Sequence, residues 1–371
     1  MTDSSITTSR TVLTGANGFL GWHTRAALQE KAEDVSAIPV GERFDLSQAR
    51  HAVNGADRAI HIAGVNRASS NEIGDGNLLF AQQLAETLIT ADRPPSIVVF
   101  ANSTQAGNGS VYGESKIRAA EILAKAAQQI GAEFRDIRLP NLFGEHGRPF
   151  YNAVTSTFCQ ILVDGGEPTV DNDKELTLLH AQDAADLLIG NVAPDEQMNL
   201  EQQETVSGLL SRLKVMNEVY AAGEIADIST KFQRDLFNTY RSYKIDARPS
   251  LELVKHADPR GSFTEIIRTH GGTGQSSFST TVPGVLRGGH YHRRKVERFL
   301  VLAGEARISM RKLFTNKTIH FDVNGNEPIA IDMPTMWTHS IENTGTDILL
   351  TNFWTDDHFD PDNPDTIVEA V

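Results

Sequence analysis

Short apolar segments alternate with Ala- and Leu-rich segments of helical period from about Thr11 to Leu210. The apolar segments include TVLTG, RAIHIAG, SIVVFAN and FRDIRL. This alternation is typical of βαβ units wound around a parallel sheet. The sequence therefore predicts an α/β fold for the first domain, which we place at residues 1–244.

One helix of this domain can be placed in detail, beginning at about Glu114. Five apolar residues recur at helical spacing and should share one face: Ile117, Ala120, Ala124, Ala127 and Ile130. Gly131 follows and should end the helix, because glycine readily adopts the left-handed conformation of a helix C-terminus.

After about Ile245 the pattern changes to short strands with a period of two. Ile319, Phe321 and Val323, for example, alternate with polar residues. Glycine and asparagine turns separate such segments, which predicts an all-β sandwich or barrel at residues 245–371. The polar stretch from Gln233 to Pro249 is interpreted as the linker between the domains.

The composition of the chain argues against a nucleic acid partner and against a membrane-spanning segment. It has 34 Lys and Arg against 48 Asp and Glu, a net charge of −14, and no basic run, so we expect no nucleic acid partner. Its longest apolar runs are far shorter than the roughly 20 residues of a membrane span. The first ten residues have no basic cluster before an apolar stretch, so we expect a frayed tail, no secretory signal and a cytoplasmic location.

The single cysteine, Cys159, excludes an intramolecular disulfide and a Cys-rich metal site. It lies in the apolar segment FCQILV. We therefore predict a buried structural thiol and not a nucleophile.

Gly15, Gly18 and Gly21 are spaced three apart in the segment TGANGFLG. Such glycines let the backbone turn tightly and approach a pyrophosphate at a helix N-terminus, where amides and the helix dipole favour anions. A plain glycine-rich turn is the alternative. The position between the first predicted strand and the first predicted helix favours dinucleotide binding.

Tyr112 and Lys116 are four residues apart and so lie on one helix face. A nearby ammonium favours the phenolate and should lower the Tyr112 pKa, so that the hydroxyl can exchange a proton with a carbonyl oxygen. The preceding strand ends at Ser103 and Thr104, whose hydroxyls are placed to bond the same carbonyl. We predict catalysis by this group.

Tyr240 and Lys244 repeat the four-residue spacing. They lie in the stretch interpreted as a linker, so we interpret them as a solvated pair without a catalytic role.

These motifs resemble the extended short-chain dehydrogenase/reductase family over roughly the first 240 residues. Further matches are Asp45-Leu46, HIAG (His61 to Gly64) after the predicted fourth strand, Asn77, RLPNLFG (Arg138 to Gly144) and LLHAQDAADLL (Leu178 to Leu188). The resemblance implies a Rossmann-type doubly wound parallel sheet and hydride transfer from a nicotinamide to a ketone. Tyr112 would be the acid, Lys116 would hold the ribose, and Ser103 would polarise the ketone oxygen.

The resemblance also implies which residues contact the cofactor: Gly15, Asn17, Gly18, Phe19, Leu20, Gly21, Arg43, Asp45, Leu46, Ala63, Gly64, Tyr112 and Lys116. Glu42 could take the ribose hydroxyls of NAD, whereas Arg43 could meet the 2′-phosphate of NADP. We favour NADP(H). On the nucleotide-sugar side we expect Asn141 and Arg148.

The second domain contains His290, His292, Glu297 and His339. In a strand His290 and His292 project to the same face, and imidazoles with a carboxylate suit a divalent first-row metal. A set of exposed or core histidines is the alternative.

The spacing of glycine, HxH, glutamate and glycine from Gly284 to Gly304 resembles the first cupin motif, and Pro334, His339 and Asn343 fit the second. Met336 departs from the glycine usual in that family, which puts the local turn in doubt. The resemblance implies a jelly-roll domain with one divalent metal. Zinc is our first choice, and iron, manganese and nickel would also suit the ligands.

DPRGSFTE (Asp258 to Glu265) and GVLRGGHYH also resemble nucleotide-sugar 3,5-epimerases, which are cupins. That resemblance implies removal of the proton next to a 4-keto group with His290 as base. A metal-bound His290 cannot be that base, so the base stays open. Arg260 and Arg287 are candidates to bind the diphosphate, with surface charge as the alternative.

The two halves together resemble bifunctional enzymes of capsular polysaccharide synthesis that fuse a reductase to an epimerase-like cupin. The resemblance implies a homodimer. It also implies that UDP-2-acetamido-2,6-dideoxy-4-hexulose is epimerised at carbon 3 and reduced at carbon 4 with NADPH, towards UDP-N-acetyl-L-fucosamine. Epimerisation must come first, because reduction removes the carbonyl that acidifies carbon 3.

Two other interpretations are open. In one, the chain is only a nucleotide-sugar reductase and the cupin is a non-catalytic dimerisation or binding module. In the other, the cupin is an iron dioxygenase or a metal-sensing domain.

Overall fold

The computed structural model describes residues 9–245 and 250–371. Residues 1–8, where we expect a frayed tail, and residues 246–249, at the end of the predicted linker, lie outside the described residues. The chain forms two compact units. The first consists of Met1–Phe143, Gly147–Ala153 and Glu175–Glu204, and the second of Gly144–His146, Val154–Lys174 and Thr205–Val371.

The α-helices are α1 Phe19–Glu30, α2 Leu46–Val53, α3 Ser70–Thr90, α4 Val111–Ile130, α5 Val154–Val163, α6 Ala181–Ile189, α7 Gln197–Leu200, α8 Val206–Ala221 and α9 Lys231–Lys244. The strands are β1 Arg10–Thr14, β2 Asp34–Ile38, β3 Arg58–His61, β4 Ile97–Ser103, β5 Glu133–Leu139, β6 Asn141–Phe143, β7 Glu175–His180, β8 Gln202–Thr205, β9 Ser250–Glu252, β10 Lys255–Asp258, β11 Gly261–Thr264, β12 Gln275–Thr281, β13 Leu286–Tyr291, β14 Glu297–Ala303, β15 Glu305–Lys312, β16 Thr318–Asn324, β17 Ile329–Met333, β18 Trp337–Asn343, β19 Leu349–Thr355 and β20 Ile367–Val368.

The first unit is built on a parallel sheet with the strand order β2-β1-β3-β4-β5. The inner strands β1, β3 and β4 are buried along nearly their whole length because helices cover both faces of the sheet, whereas the edge strands β2 and β5 expose part of their residues. Leu13 and Val99 pack on one face with α1 and α6, while their neighbours Val12 and Val98 pack on the other with α2, α3 and α4. The predicted doubly wound α/β fold is confirmed. The HIAG segment, however, follows the third strand and not the fourth.

Helix α4 and its end at Gly131 confirm the predicted helix, and Gly131 has the left-handed φ of 73°. The residues that α4 buries differ from the apolar face predicted for it. Ala119, Leu123 and Ala126 are buried, whereas Ala127 is the only one of the five predicted face residues in this class. Helix α4 packs in the same core as α3, and Ala120 and Ile130 of the predicted face are partly buried against that core.

The second unit contains two five-stranded antiparallel sheets, ordered β12-β19-β14-β17-β9 and β16-β15-β18-β13-β20. Side chains from both sheets form one core, with Phe299 and Ile331 from the first sheet and Ile308 and Ile341 from the second. Ile319, Phe321 and Val323 pack in or against this core, as the period of two predicts. The arrangement confirms the all-β, jelly-roll expectation.

The linker interpretation of Gln233 to Pro249 is wrong for the residues up to 244, which belong to α9. This helix buries Phe237 and Tyr240, and the Tyr240 hydroxyl donates to Asn217 Oδ1 at 2.6 Å, so Tyr240 is not solvated. Polar residues of α9 find partners inside the unit; Arg241 Nη2, for instance, donates to Met333 O at 2.7 Å.

Helices α5, α8 and α9 pack in the second unit although they precede residue 245, where we expect the second domain to begin. Cys159 on α5 is buried, and burial raises the pKa of its thiol, in agreement with a structural role. In the part of the chain that the structure describes, no helix combines the length and the hydropathy needed to span a membrane.

Candidate active site and metal centre

The glycine loop lies at the carboxyl ends of β1 and β3, where the strand order reverses and ligands of open α/β sheets bind. Gly15 has φ 72°, and a Cβ there would lie 2.7 Å from the Ala63 nitrogen. A Cβ at Gly21 would overlap the Gly15 carbonyl oxygen. Both positions therefore require glycine, and the loop is held close to α1 and to the segment after β3.

The N-terminus of α1 is available to an anion. Gly18 is its N-cap, and no side chain of the described residues caps it. Asn17 and Gly18 are exposed, Phe19 is half-buried, and Leu20 and Gly21 are buried. The amides of the first turn can thus meet a phosphate, while Leu20 and Gly21 shape the turn from inside.

Thr14 and His61 tie the two strand ends together. The Thr14 hydroxyl lies 2.8 Å from His61 Nδ1 and accepts hydrogen bonds from the amides of Ile62 and Ala63. Burial, with a smaller contribution from the charge of Lys116, lowers the His61 pKa to about 3, so His61 is neutral. These hydrogen bonds of Thr14 hold Ala63 beside the glycine loop. The sequence motif includes His61 but does not predict its contact with Thr14.

Ser103 ends β4 and Tyr112 lies in the first turn of α4. Burial raises the Tyr112 pKa, and a hydrogen bond with Ser103 opposes the shift. The structure therefore brings these two hydroxyls together, whereas Thr104 is exposed. The expected lowering of the Tyr112 pKa by Lys116 is not observed.

The Lys116 side chain is held against β4. Its ammonium donates to Ala101 O at 2.7 Å and lies 4.1 Å from the centre of the Phe100 ring. Burial lowers the Lys116 pKa to about 7, with Asp136 opposing the shift. The charge is therefore weakened and held by a backbone carbonyl.

The remaining candidates around the cofactor lie beyond β2. Glu42 and Arg43 are exposed on the 3-10 helix Gly41–Arg43. The Asp45 carboxylate caps α2 by accepting from the Gln48 amide at 2.9 Å, and Leu46 begins that helix. Asp45 thus has a structural role as well as its predicted one.

Three other predicted residues of the first unit differ in burial, since Asn77 is buried and Asn141 and Arg148 are exposed. Asn77 is buried, and its side chain holds both the amide and the carbonyl of Val65 at 2.9 Å, which positions the segment after Gly64. Asn141 and Arg148 are exposed, and Arg148 stacks on Tyr151.

In the second unit the four candidate metal ligands converge from both sheets. His290 lies on β13, His292 directly follows it, and His339 lies opposite on β18, where His290 and His339 are paired. Glu297 begins β14 in the other sheet. One ligand atom from each of the four lies within 4.8 Å of the others.

The facing atoms of this group are those that a cation would bind. His292 Nε2 and His339 Nε2 lie 3.3 and 3.2 Å from Glu297 Oε2. All three atoms are buried and have no hydrogen bond of normal geometry to any residue that the structure describes. Buried polar atoms without partners are costly, so the donor set fits a divalent metal.

The pKa values of the group follow from its burial and from the contacts of Glu297 with the imidazoles. Burial lowers the His292 pKa, but the adjacent Glu297 carboxylate outweighs this effect and raises it. Burial opposes ionisation of Glu297, but the adjacent His292 and His339 outweigh it and lower the Glu297 pKa. Burial, followed by the charges of the other two histidines, lowers the His290 pKa to about 4. A carboxylate and a neutral imidazole are the forms that bind metals.

The turn before His339 forms despite Met336, which adopts φ 59° where the cupin family usually has glycine. Its amide donates to His292 O at 2.7 Å, which ties this turn to a second ligand. Asn343 is structural, since Nδ2 donates to the carbonyls of Thr281 and Asp347, both at 2.8 Å.

Arg260 and Arg287, the predicted diphosphate contacts, are both exposed. Arg260 lies in the β10-β11 hairpin, is 89% exposed and pairs with Asp258 at 2.6 Å. Arg287 is exposed on β13. Arg260 therefore forms an ion pair within its own hairpin, and its predicted contact with a diphosphate stays a prediction.

Comparison with known proteins places these sites in context. Residues 11–200 match the NAD dependent epimerase/dehydratase family. The chain belongs to this family. Residues 256–367 match the polysaccharide biosynthesis C-terminal domain.

Two relatives span nearly the whole chain. A UDP-2-acetamido-2,6-beta-L-arabino-hexul-4-ose reductase of Pseudomonas aeruginosa is 32% identical over 372 residues, which are 98% of this chain and 99% of the relative. The crystal structure of the capsular polysaccharide assembling protein CapF of Staphylococcus aureus is similar with a TM-score of 0.61 and 30% identity, covering 97% of this chain and 100% of CapF. These matches confirm the resemblance inferred from the sequence.

Two further matches concern single parts of the chain. The spore coat polysaccharide biosynthesis protein SpsL of Bacillus subtilis is 27% identical over 130 residues, which are 33% of this chain and 86% of SpsL. A UDP-glucose 4-epimerase structure of Thermotoga maritima, 14% identical with a TM-score of 0.52, covers 64% of this chain and 99% of that protein and shows the fold alone.

Proposed function

We propose that the chain is a bifunctional nucleotide-sugar enzyme. Its second unit epimerises carbon 3 of UDP-2-acetamido-2,6-dideoxy-4-hexulose, and its first unit reduces the 4-keto group with NADPH, towards UDP-N-acetyl-L-fucosamine for a surface polysaccharide. The name of the Pseudomonas relative, a reductase of a UDP-linked hexul-4-ose, supports the substrate class. The likeness to CapF supports the polysaccharide context.

For reduction, the first unit offers a hydroxyl pair at the carboxyl edge of its sheet. NADPH bound along the glycine loop would supply hydride to carbon 4. Tyr112 is protonated at neutral pH because burial raises its pKa, so it can donate a proton to the ketone oxygen as negative charge develops there. Ser103 donates a second hydrogen bond to that oxygen, and Lys116 holds the ribose.

For epimerisation, the second unit offers the donor set His290, His292, Glu297 and His339. A divalent cation held there, zinc in our proposal, would polarise the 4-keto oxygen and so acidify carbon 3. With His290 in the ligand set, the group that removes the proton is a different one. Epimerisation precedes reduction, because the ketone that makes carbon 3 acidic is the group that reduction consumes.

The convergence of the half-buried His290 with the buried His292, Glu297 and His339 is the observation that carries the bifunctional proposal. Three of their atoms are buried without hydrogen bonds to the described residues, which costs stability unless a ligand binds. A module that only holds subunits together has no use for such a group.

The proposal also covers the cofactor, the cellular location and the oligomeric state of the enzyme. Exposed Arg43, just after β2, supports NADP over NAD, with Glu42 as the competing acidic contact. We place the enzyme in the cytoplasm, where its sugar nucleotide would be made. We also propose a homodimer, because cupins often pair through sheet edges.

The test uses the full chain and the 4-keto sugar nucleotide in heavy water, followed by NMR. Without NADPH, the wild type should incorporate deuterium at carbon 3, and adding NADPH, more than NADH, should give reduction at carbon 4. Tyr112→Phe should retain the deuterium exchange and lose about 10²- to 10⁴-fold in reduction rate. His290→Ala should lose the exchange.

One alternative has an observation in its favour. The Pseudomonas relative, which aligns with both units, is named only as a reductase. If the wild type reduces the ketone but places no deuterium at carbon 3, the second unit is a binding or dimerisation module and the bifunctional proposal is wrong.

A further inference from the structure

The residues Pro364–Ala370, here called the C-terminal segment, run along the strand that carries His290. Within the segment, β20 pairs antiparallel with β13, so that Val368 lies opposite His290. The Glu369 amide donates to Gly289 O at 3.0 Å, and its carbonyl accepts from the Thr338 hydroxyl. The segment therefore contacts the neighbours of two candidate ligands.

Asp365 of this segment is buried, and its carboxylate accepts from three consecutive backbone amides. Oδ1 accepts from Arg293 N at 3.0 Å, and Oδ2 accepts from Arg294 N at 2.8 Å and Lys295 N at 3.0 Å. These residues connect His292 to Glu297. One carboxylate thus fixes the loop that sets the distance between two candidate ligands.

The backbone of the same residue acts on His292 directly. His292 Nδ1 hydrogen-bonds to Asp365 O. A carbonyl oxygen only accepts, so Nδ1 must carry the proton. In neutral His292 the lone pair is then on Nε2, the atom that faces Glu297 Oε2 at 3.3 Å.

We propose that Asp365 is a positioning residue of the metal centre, with its carbonyl setting the tautomer of His292 and its carboxylate setting the loop from His292 to Glu297. The inference rests on the proposed metal site and adds a residue to it from a distant part of the sequence. Partners of this kind orient ligands and raise metal affinity. His339 differs, because its Nδ1 lies 3.2 Å from the carbonyl of Trp337 on its own strand.

The conformation of Asp365 guides the choice of variants. Its φ of 43° lies in the left-handed region, which asparagine and glycine adopt readily. Asp365→Gly removes the carboxylate and keeps the backbone carbonyl, while Asp365→Asn leaves one acceptor oxygen in place of two. Glu369→Gln is the matched control, since it removes the same charge from the same segment at a residue whose carboxylate accepts from Arg311.

The experiment measures metal binding without turnover. The full-length proteins are stripped with a chelator and titrated with Co²⁺, followed by visible absorption, and Zn²⁺ affinity is obtained by competition. We expect Asp365→Gly to weaken binding by about 10- to 100-fold and to shift the Co²⁺ absorption bands, with a smaller loss for Asp365→Asn. Glu369→Gln should match the wild type in both readouts.

The possible results separate this inference from the proposed function. Wild-type protein that binds neither metal would contradict the metal site itself. Wild-type binding with unchanged affinity and spectrum in Asp365→Gly would overturn the role of Asp365 alone. Circular dichroism checks the folding of each variant, and if Asp365→Gly does not fold, unchanged binding by Asp365→Asn overturns the role instead.

Discussion

The two candidate sites are built from different materials. The first is made largely of backbone, with glycines where side chains would collide, an exposed helix N-terminus and loops at the ends of strands. The second is made of buried side chains that face one another from two sheets. A large ligand with many phosphate and ribose oxygens suits an open backbone surface, whereas a single ion needs few donors at close range.

The pKa values of the two sites differ in the same way. Around β4, burial dominates and moves Tyr112, Lys116 and His61 towards their uncharged forms. In the candidate metal centre, His292 and His339 overcome the effect of burial on Glu297 and lower its pKa. The first site therefore has little fixed charge of its own, and the second concentrates charge at one point.

The largest expected effect concerns Glu297. Metal present at 1,000-fold above its Kd should stabilise the wild type by about 4 kcal/mol, because it binds the folded state. Glu297→Gln should retain less than half of this gain, since it removes the anionic ligand. Thermal unfolding with Zn²⁺ and with chelator measures the difference. Glu342→Gln on β18 is the control, and an equal metal gain in Glu297→Gln would show that Glu297 is no ligand.

The second prediction concerns the glycine loop of the first unit. Gly21→Ala places a Cβ against the Gly15 carbonyl and displaces the loop, so we expect reductase kcat/KM to fall by about 100-fold or more. Metal affinity should stay unchanged. Gly131→Ala, where φ is 73° and nothing lies within 4 Å of the new Cβ, controls for general destabilisation. Equal losses in both variants would contradict the steric explanation.

A third effect tests burial inside the second unit. Burial raises the Asp356 pKa to about 6, against the opposing hydrogen bond from the Val296 amide. The folded state therefore holds a proton that the unfolded state has released between about pH 4 and 6, and wild-type stability falls as pH rises through this window. Asp356→Asn should be more stable than wild type by about 2 kcal/mol at pH 8 and equal near pH 4.

Thermal unfolding of Asp356→Asn and wild type at both pH values measures this difference. Asp347→Asn, at an exposed residue that does not act on the Asp356 pKa, is the control. A gain that is the same at pH 4 and pH 8 would mean that titration of Asp356 is not its cause.

The smallest effect concerns Lys116. Its pKa of about 7 means that the ammonium loses its charge as pH rises from 6 to 8. NADPH affinity should fall by about tenfold over this range, the limit for one proton. In Lys116→Met the affinity should be low and independent of pH. Fluorescence titration measures both, and His61 cannot supply the slope because its pKa is about 3. An unchanged slope in Lys116→Met would reject the assignment.

Sequence patterns were most informative where neighbours along the chain decide the structure. Gly15, Gly18 and Gly21 follow β1 directly, and the spacing of His290, His292 and Glu297 is set by one strand end and one short loop. Local motifs of this kind carry their own geometry. The structure accordingly brings these residues together as the spacing predicts.

Sequence patterns failed where contacts with residues far away in the sequence determine the local structure. The polar residues of α9 suggested a linker, yet Arg241 is buried because Met333 O, far along the chain, accepts its hydrogen bond. Burial of the Tyr112 hydroxyl raises its pKa, and the spacing of Tyr112 and Lys116 does not reveal that burial. Asp365 reaches His292 only because β20 pairs with β13.

The discontinuous make-up of the second unit affects how the protein is made on the ribosome. Helix α5 is synthesised before α8 and α9, with which it packs, so its buried residues Phe158 and Leu162 are without their final neighbours until those helices have been added. The loop between His292 and Glu297 is fixed only after residue 365 has been added. Nascent chains that end before that residue should therefore lack a fixed loop between two of the candidate metal ligands.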